Sequence, residues 1–279
     1  MKGLITVSIV LYNNEVEEIL SLVNSLIKTE LNIRVYLIDN SATDILRKSL
    51  ASVSNKVEYI HPGANLGYGK ANNIAIQQAI SNKAVYHLVL NPDIIINEGV
   101  LENISNYLNN HQDIGVLMPK VVYEDGTIQR LCKLLPGPWD LIGRRFFKGG
   151  KNSRRNAIYE LSFFDYASTL NVSSISGCFM FFRTSVLEKI GGFDDRFFMY
   201  LEDYDLSRRA SKVSRAVFYP EVHVIHKYRK ESYVNKKLLW IHIQSAIKYF
   251  NKWGWFLDAD RTKMNREVLQ DLKNKGYQI

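Results

Sequence analysis

The sequence predicts an α/β protein built on a mostly parallel sheet with helices on both faces, and three observations carry that expectation. Apolar, β-branched runs alternate with segments of helical period through the first 120 residues. Those runs are apolar almost throughout, as strands buried on both faces are. Acidic residues stand where two of the runs stop, which is where an open parallel sheet binds its ligands.

Taken in order, "LITVSIVLY" (4–12) reads as the first strand. "EVEEILSLVNSLI" (15–27) follows as a helix, with Val16, Ile19, Leu20, Val23, Leu26 and Ile27 on one stripe. "IRVYLIDN" (33–40) is the second strand, a short helix starts at Asp44, and "KVEYIHP" (56–62) is the third strand. "GKANNIAIQQAI" (69–80) predicts a helix, "AVYHLVL" (84–90) the fourth strand and "EGVLENISNYL" (98–108) another helix. "IGVLMPKVVY" (114–123) is a strand closed by the turn "EDGT". Residues 131–173 show no clean period and read as a functional flap or a disordered loop. "SSISGCFMFFR" (173–183) resumes as a strand and a helix follows at 185–190. Two short strands, "AVFYP" and "VHVIH", then precede amphipathic helices from about 232 to the end.

The 279 residues are 46% hydrophobic, enough for a sizeable core in one large domain. Two cysteines cannot make a disulfide framework, which points to a reducing, cytosolic setting. The N-terminus reads as a strand rather than a signal peptide, and no apolar run is long enough to span a membrane. The net charge of +8 is uneven: −2 over residues 1–110, +3 over 111–226 and +7 over the last 53. A basic tail attracts phosphate-rich partners.

Asp39 and Asp93 are the two acids at strand ends. Each also reads as an Asx-turn or helix cap. For Asp93 the preceding Pro92 fixes the approach of the chain, and a carboxylate so held suits a hard cation such as Mg²⁺. The glycines Gly63, Gly67 and Gly69 fit neither the dinucleotide fingerprint nor the Walker A loop, leaving a small-residue turn that opens a helix. "LEDYDLSRR" crowds Glu202, Asp203 and Asp205 at a helix start, with Asp205 placed to reach Arg209 at i,i+4. Adjacent carboxylates raise the pKa of one member, which suits a general base.

"TVSIVLYNN", "LIDNSA", "NLGYGKANN", "LVLNPDI", "ISGCFMFFR", "IGGFDDRFFMYLEDYDLSRRA" and "VIHKYRKES" occur in that order over roughly residues 4–255. Together they resemble glycosyltransferase family 2, in its rhamnosyltransferase-like branch of bacterial surface-polysaccharide enzymes. The resemblance implies a GT-A fold, with a donor half at about 1–125, an acceptor half at about 126–230 and a helical C-terminal appendage at 231–279. It implies inverting transfer of a sugar from a nucleotide diphosphate, dTDP-L-rhamnose first and a UDP-hexose as the alternative. The acceptor is then a saccharide, lipid-linked, in the synthesis of O antigen, capsule or another surface polysaccharide.

Residue by residue, the resemblance places Tyr12 and Asn13 at the base pocket and Asp39 against the donor's base or ribose. Asn65 and Gly67 match an Asn-x-Gly element near the donor. Asp93 corresponds to the last acid of the Asp-x-Asp motif, whose first acid is here Asn91. With His226 as a further ligand, Asp93 would hold Mg²⁺ or Mn²⁺. Asp203 falls at the catalytic base, with Glu202 beside it positioning the acceptor.

The basic, aromatic run "GRRFFKGGKNSRR" (143–155) is compatible with single-stranded nucleic acid, but a flap over the acceptor site accounts for it without one. The tail segment 236–256, rich in lysine and tryptophan, suits either packing on the main domain or peripheral contact with the inner face of the cytoplasmic membrane. Two rivals are weaker. A sugar-nucleotide nucleotidyltransferase wants a Gly-rich basic loop after its first strand, which "LYNNEVEE" lacks. A non-catalytic nucleotide- or glycan-binding protein has no need of a base at Asp203.

Overall fold

The computed structural model describes residues 3–143, 154–227 and 236–279. Residues 144–153 of the basic, aromatic run and 228–232 of the motif after His226 therefore lie outside the described residues. Strands β1 (Ile5–Leu11), β2 (Ile33–Asp39), β3 (Val57–Ile60) and β4 (Tyr86–Leu90) run parallel in the spatial order β3-β2-β1-β4. Helices α1 (Val16–Ile27), α2 (Arg47–Leu50) and α3 (Tyr68–Ser81) lie in their crossovers. The register sets Leu11 against Asp39 and Ile9 against Leu90, so the carboxyl ends of these strands finish along one edge.

Beyond β4 the chain continues as β5 (Ile94–Ile95), α4 (Val100–Asn110), β6 (Ile114–Val122), a π-helical turn at Trp139–Gly143 and α5 (Arg154–Tyr159). Then come β7 (Leu170–Asn171), β8 (Phe179–Arg183), α6 (Thr184–Ile190), α7 (Glu202–Ala210), β9 (Arg215–His226), α8 (Lys236–Trp253) and α9 (Ala259–Asn274). Among the described residues they extend the same sheet to nine strands in the order β3-β2-β1-β4-β8-β6-β9-β5, with β7 on β9. Parallel pairing joins the first four strands and recurs between β6 and β9, so the expected mostly parallel sheet is mixed in its second half. β8 enters antiparallel between β4 and β6, β9 runs parallel to β6, and β5 and β7 meet β9 antiparallel.

Two strand boundaries differ from the sequence reading, each for a local reason. Residues 173–178 are not strand: two of their N–H groups are spent on side chains of α7, Ile175 donating to Ser207 Oγ at 3.0 Å and Gly177 to Asp203 Oδ2 at 3.1 Å. "AVFYP" and "VHVIH" form one strand, β9, whose register with β6 jumps from Pro119–Tyr219 to Lys120–His223. Pro220 falls in that jump; having no N–H to donate, it sits where the ladder bulges.

The core is aliphatic on the side of α1, where Ile19, Leu22, Val23 and Leu26 are buried, and aromatic around Phe179, Phe181, Phe182 and Phe218. A buried polar seam crosses it: the His87 ring contacts Thr6 Oγ1 at 2.8 Å and Ser8 Oγ at 3.2 Å, and Ser8 donates to Asn72. Burial pushes the His87 pKa down to about 3, so the ring is neutral.

The described part of 131–173 is irregular yet packed. Leu135 exchanges hydrogen bonds in both directions with the Asn265 side chain on α9, and the Tyr159 and Tyr204 hydroxyls meet at 3.0 Å. The C-terminal helices close on α7. Ala246, Tyr249 and Phe250 of α8 pack with Phe197 and Leu201, while Val268 and Leu272 of α9 join the main core. Among the described residues no helix is long and apolar enough to cross a membrane.

Candidate active site

The site assembles where β1, β2 and β4 end. Tyr12, after β1, is 57% exposed, leaving its ring face open beside the sheet edge. Asn13 takes a left-handed conformation (φ 52°) and donates its N–H to Ser41 Oγ at 2.9 Å, fastening the β1 loop to the β2 loop. Asp39 is fully buried, accepting from Ser41 N–H at 2.9 Å and from the Tyr59 hydroxyl at 2.5 Å. The Asx-turn reading of Asp39 is thus realised in its geometry, and its carboxylate shapes the loop that Ser41 and His61 share.

Asn40, buried and passed over in the sequence, holds the next loop: its amide donates to Gly67 O at 3.1 Å and accepts from Leu66 N–H at 3.4 Å. Asn65 accepts from Gly67 N–H at 2.9 Å, closing the turn that opens α3. Gly67 stands at φ 81°, and a Cβ there would lie 2.3 Å from the Phe198 carbonyl oxygen. Only glycine serves both the left-handed backbone and the close approach. Tyr68 N–H then donates to that same carbonyl at 2.8 Å. The loop before α3 is therefore seated directly on the segment that leads into α7.

Asp93 follows β4 through Asn91-Pro92 and precedes β5. The β5–β9 pairing sets Ile94 opposite His226, and Lys227 N–H donates to the Asp93 main-chain oxygen at 3.0 Å. As a result His226 Nε2 lies 3.3 Å from Asp93 Oδ1. That carboxylate oxygen is buried and accepts no hydrogen bond. Gln129, which the sequence did not single out, contacts His226 Nδ1 at 2.9 Å and donates to the His226 carbonyl at 2.8 Å.

The two residues fit a divalent cation as a pair. An octahedral ion with donors at about 2.1 Å places adjacent donors about 3 Å apart, close to the separation found. Among the described residues no group of three or more His, Cys, Asp or Glu gathers to hold an ion. Two protein ligands suit a cation that takes its remaining donors from phosphate and water.

α7 begins with Glu202 and Asp203. Asp203 Oδ2 accepts from Gly177 N–H at 3.1 Å and Oδ1 from Tyr204 N–H at 2.8 Å. Burial raises the pKa of both acids, against these hydrogen bonds in the case of Asp203. Glu202 is driven furthest, to about 8, by burial and then by the neighbouring Asp203 charge, and its Oε2 is buried without a hydrogen-bond partner. Glu202 therefore holds its proton at neutral pH, while Asp203, accepting two N–H groups, is the member equipped to be an anion. Asp205 is structural: it is fully buried against Arg209 and Trp253 Nε1, each at 2.8 Å.

The turn at Gly177–Cys178 joins the two acid centres. Cys178 O accepts from Asn91 N–H at 3.0 Å on the Asp93 side, and Gly177 N–H reaches Asp203 on the other. The Tyr68 hydroxyl donates to Gly177 O at 2.7 Å, bringing the α3 loop into the same contact. The Cys178 thiol, between both carboxylates, is pushed up to about 12, chiefly by burial. It is not a nucleophile. The loops after β1 and β2, the Asp93–His226 pair after β4 and the acids that open α7 are thus linked through the Gly177–Cys178 turn.

Residues 6–191 match the family described as Glycosyl transferase family 2, about two thirds of the chain. The chain is 27% identical over 215 residues to the N-acetylglucosaminyl-diphospho-decaprenol L-rhamnosyltransferase of Mycobacterium tuberculosis, covering 71% of this chain and 67% of that protein. It is 26% identical over 232 residues to rhamnosyltransferase WbbL of Escherichia coli, covering 76% and 80%. Among solved structures, S. aureus TarS superposes with a TM-score of 0.58 at 18% identity, over 96% of this chain and 43% of that one. The mannosyltransferase PcManGT from Pyrobaculum calidifontis, in complex with GDP-Man and Mn²⁺, gives 0.59 at 15% identity, over 100% and 77%. At such identities the structures speak to the fold, which is the GT-A fold. With the family match over most of the sheet and the acids gathered at its edge, the chain belongs to glycosyltransferase family 2.

Proposed function

We propose that the protein is an inverting rhamnosyltransferase, moving L-rhamnose from dTDP-L-rhamnose to a lipid-linked saccharide during synthesis of O antigen, capsule or another surface polysaccharide. The observation that carries the reading is the Gly177–Cys178 turn, which ties the Asp93–His226 pair and Asp203 into one site. The two relatives named for rhamnosyl transfer support the donor sugar, and the decaprenol relative supports a diphospho-lipid acceptor bearing N-acetylglucosamine.

Asp203 takes the proton of the acceptor hydroxyl as that oxygen bonds to the anomeric carbon. The bond from that carbon to the nucleoside diphosphate breaks on the opposite face, and the diphosphate leaves with the electron pair. Glu202, neutral beside it, keeps a second negative charge away from the base. Asp93 and His226 are the residues that would hold Mg²⁺ or Mn²⁺, which when bound offsets charge on the departing diphosphate. Tyr12 and Asn13 line the base pocket, Asp39 shapes its floor, and Asn65 and Gly67 bound the sugar side.

A lipid-linked acceptor also gives a purpose to the outer face of α8. Trp240 and Ile247 are exposed on the stripe shared by Lys237 and Lys248, and Phe256 and Leu257 follow in the turn, 73% and 95% exposed. Apolar side chains among lysines suit peripheral contact with an anionic bilayer at the cytoplasmic face.

The test is transfer to a short-chain polyprenyl-diphospho-N-acetylglucosamine, read by mass spectrometry, with dTDP-L-rhamnose and UDP-glucose, UDP-galactose and UDP-N-acetylglucosamine in parallel. Transfer from the dTDP donor alone supports the reading. Transfer from a UDP-hexose alone replaces the donor, and no transfer from any of them, with no nucleotide raising the melting temperature, overturns it.

A further inference from the structure

We infer that Gln129 is a positioning residue that selects the tautomer and orientation of the His226 ring, holding its Nε2 lone pair toward Asp93; the inference rests on the proposed cation role of that pair. Gln129 N–H donates to Val121 O at 2.9 Å, pinning the residue beside β6 just after the 124–127 turn. Its side chain is buried, at 4% exposure, so its amide must find partners inside the protein.

The His226 carbonyl oxygen lies 2.8 Å from Gln129 Nε2. A carbonyl only accepts, so it selects the NH₂ end of the amide and turns Oε1 away, toward His226 Nδ1 at 2.9 Å. Rotating the amide by half a turn would set two oxygens against each other. Oε1 likewise only accepts, so Nδ1 must carry the hydrogen. In a neutral imidazole the lone pair is then on Nε2, which faces the buried Asp93 Oδ1 at 3.3 Å. Two acceptor atoms directed at each other are what a divalent cation joins. The backbone of β9 thus chooses, through one glutamine, the tautomer that a ligand histidine needs.

All three members are held by main-chain bonds: the β5–β9 pairing fixes His226, Lys227 N–H reaches the Asp93 carbonyl, and Gln129 N–H reaches Val121 O of β6. The ring cannot turn over without breaking the Gln129 contact. Partners of this kind are worth about 10–100-fold in metal affinity.

The experiment compares wild type, Gln129→Met, Gln129→Glu and His226→Ala in the full chain, with folding checked by circular dichroism. Mn²⁺ binding with dTDP present is titrated by electron paramagnetic resonance, and the His226 tautomer is read from ¹⁵N spectra of histidine-labelled protein without metal. The expected result is a wild-type ring protonated at Nδ1 and a loss of about 10–100-fold in Mn²⁺ affinity in Gln129→Met, whose ring populates both tautomers. Gln129→Glu loses the donor to the His226 carbonyl and so costs stability, but its other oxygen still accepts from Nδ1; it should keep the wild-type tautomer and bind Mn²⁺ more tightly than Gln129→Met. A wild-type ring protonated at Nε2, or a Gln129→Met protein equal to wild type in both readouts, overturns the inference. Unchanged Mn²⁺ affinity in His226→Ala would instead overturn the cation reading itself, and the spectra would still report whether Gln129 sets the ring.

Discussion

Replacing Asp258 by alanine should be among the costliest single changes in this protein. Arg208 on α7 and Asp258 at the start of α9 form a two-pronged pair, with Nη1 to Oδ2 at 2.7 Å and Nη2 to Oδ1 beside it. Both side chains are essentially out of solvent, at 1% and 2% exposure, and Trp253 stacks 4.1 Å from the guanidinium. Removing one partner of a buried pair leaves an uncompensated charge, at about 3–5 kcal/mol. Asp258 Oδ1 also caps α9 by accepting from Arg261 N–H at 2.9 Å, a contact worth about 1 kcal/mol more. The total, about 4–6 kcal/mol, is a large part of the usual stability of a domain. At this chain length it corresponds to a melting temperature lower by about 8–12 °C. The assay is urea denaturation followed by circular dichroism, with Arg208→Met/Asp258→Leu as the control. That double variant removes both charges and should lie closer to wild type than Asp258→Ala alone. An Asp258→Ala protein within about 1 kcal/mol of wild type would refute the claim that this pair closes the C-terminal helices on α7.

Other perturbations follow from the same geometry. Gly67→Ala puts a Cβ 2.3 Å from Phe198 O at φ 81°, so it should lose more than the roughly 1–2 kcal/mol of a left-handed alanine, measured as a shift in denaturation midpoint. His87 is neutral when folded, with a pKa of about 3, against about 6.5 when unfolded. The unfolded chain gains the proton first, so stability is full above about 6.5 and falls toward 3. The loss is about 2.7 kcal/mol by pH 4.5, and His87→Asn should flatten that slope in denaturation curves at pH 4.5 and 7.5. Glu202 has the opposite sign: folded at about 8 and unfolded near 4.3, it costs stability as pH rises between those values. Glu202→Gln should remove that loss, and it should keep turnover within about tenfold of wild type, since the amide copies the neutral acid; a drop as large as that of an Asp203 variant would show that Glu202 is itself the base.

The first half of this fold was legible because each strand there is short, apolar and closed by a turn, and its helices carry a clear period. β1 to β4 fall within a few residues of their expected bounds. The second half resisted for physical reasons. Residues 173–178 have strand composition, but the N–H groups of Ile175 and Gly177 bond to side chains of α7, which lie far along the chain. Pro220 reads as a strand end, yet the ladder bulges around it and continues. In the site, Asp93 and Asp203 announce themselves through Pro92 and the acid cluster. The meeting of Asp93 with His226 depends on the two-residue strand β5, too short to leave a pattern. Gln129 lies 97 positions from the histidine it contacts, and nothing near it in sequence marks it out. Asn40 was hidden by the more conspicuous Asp39 next to it.

Asp203→Asn separates the proposed base from the donor site, which lies elsewhere. Two quantities are needed from one protein preparation: the Mn²⁺-dependent affinity for dTDP by calorimetry, and the rate of rhamnosyl transfer to the diphospho-lipid acceptor. The expected result is an affinity near that of wild type together with a rate lower by about 10²–10⁴-fold. Transfer at the wild-type rate would show that Asp203 is not the base.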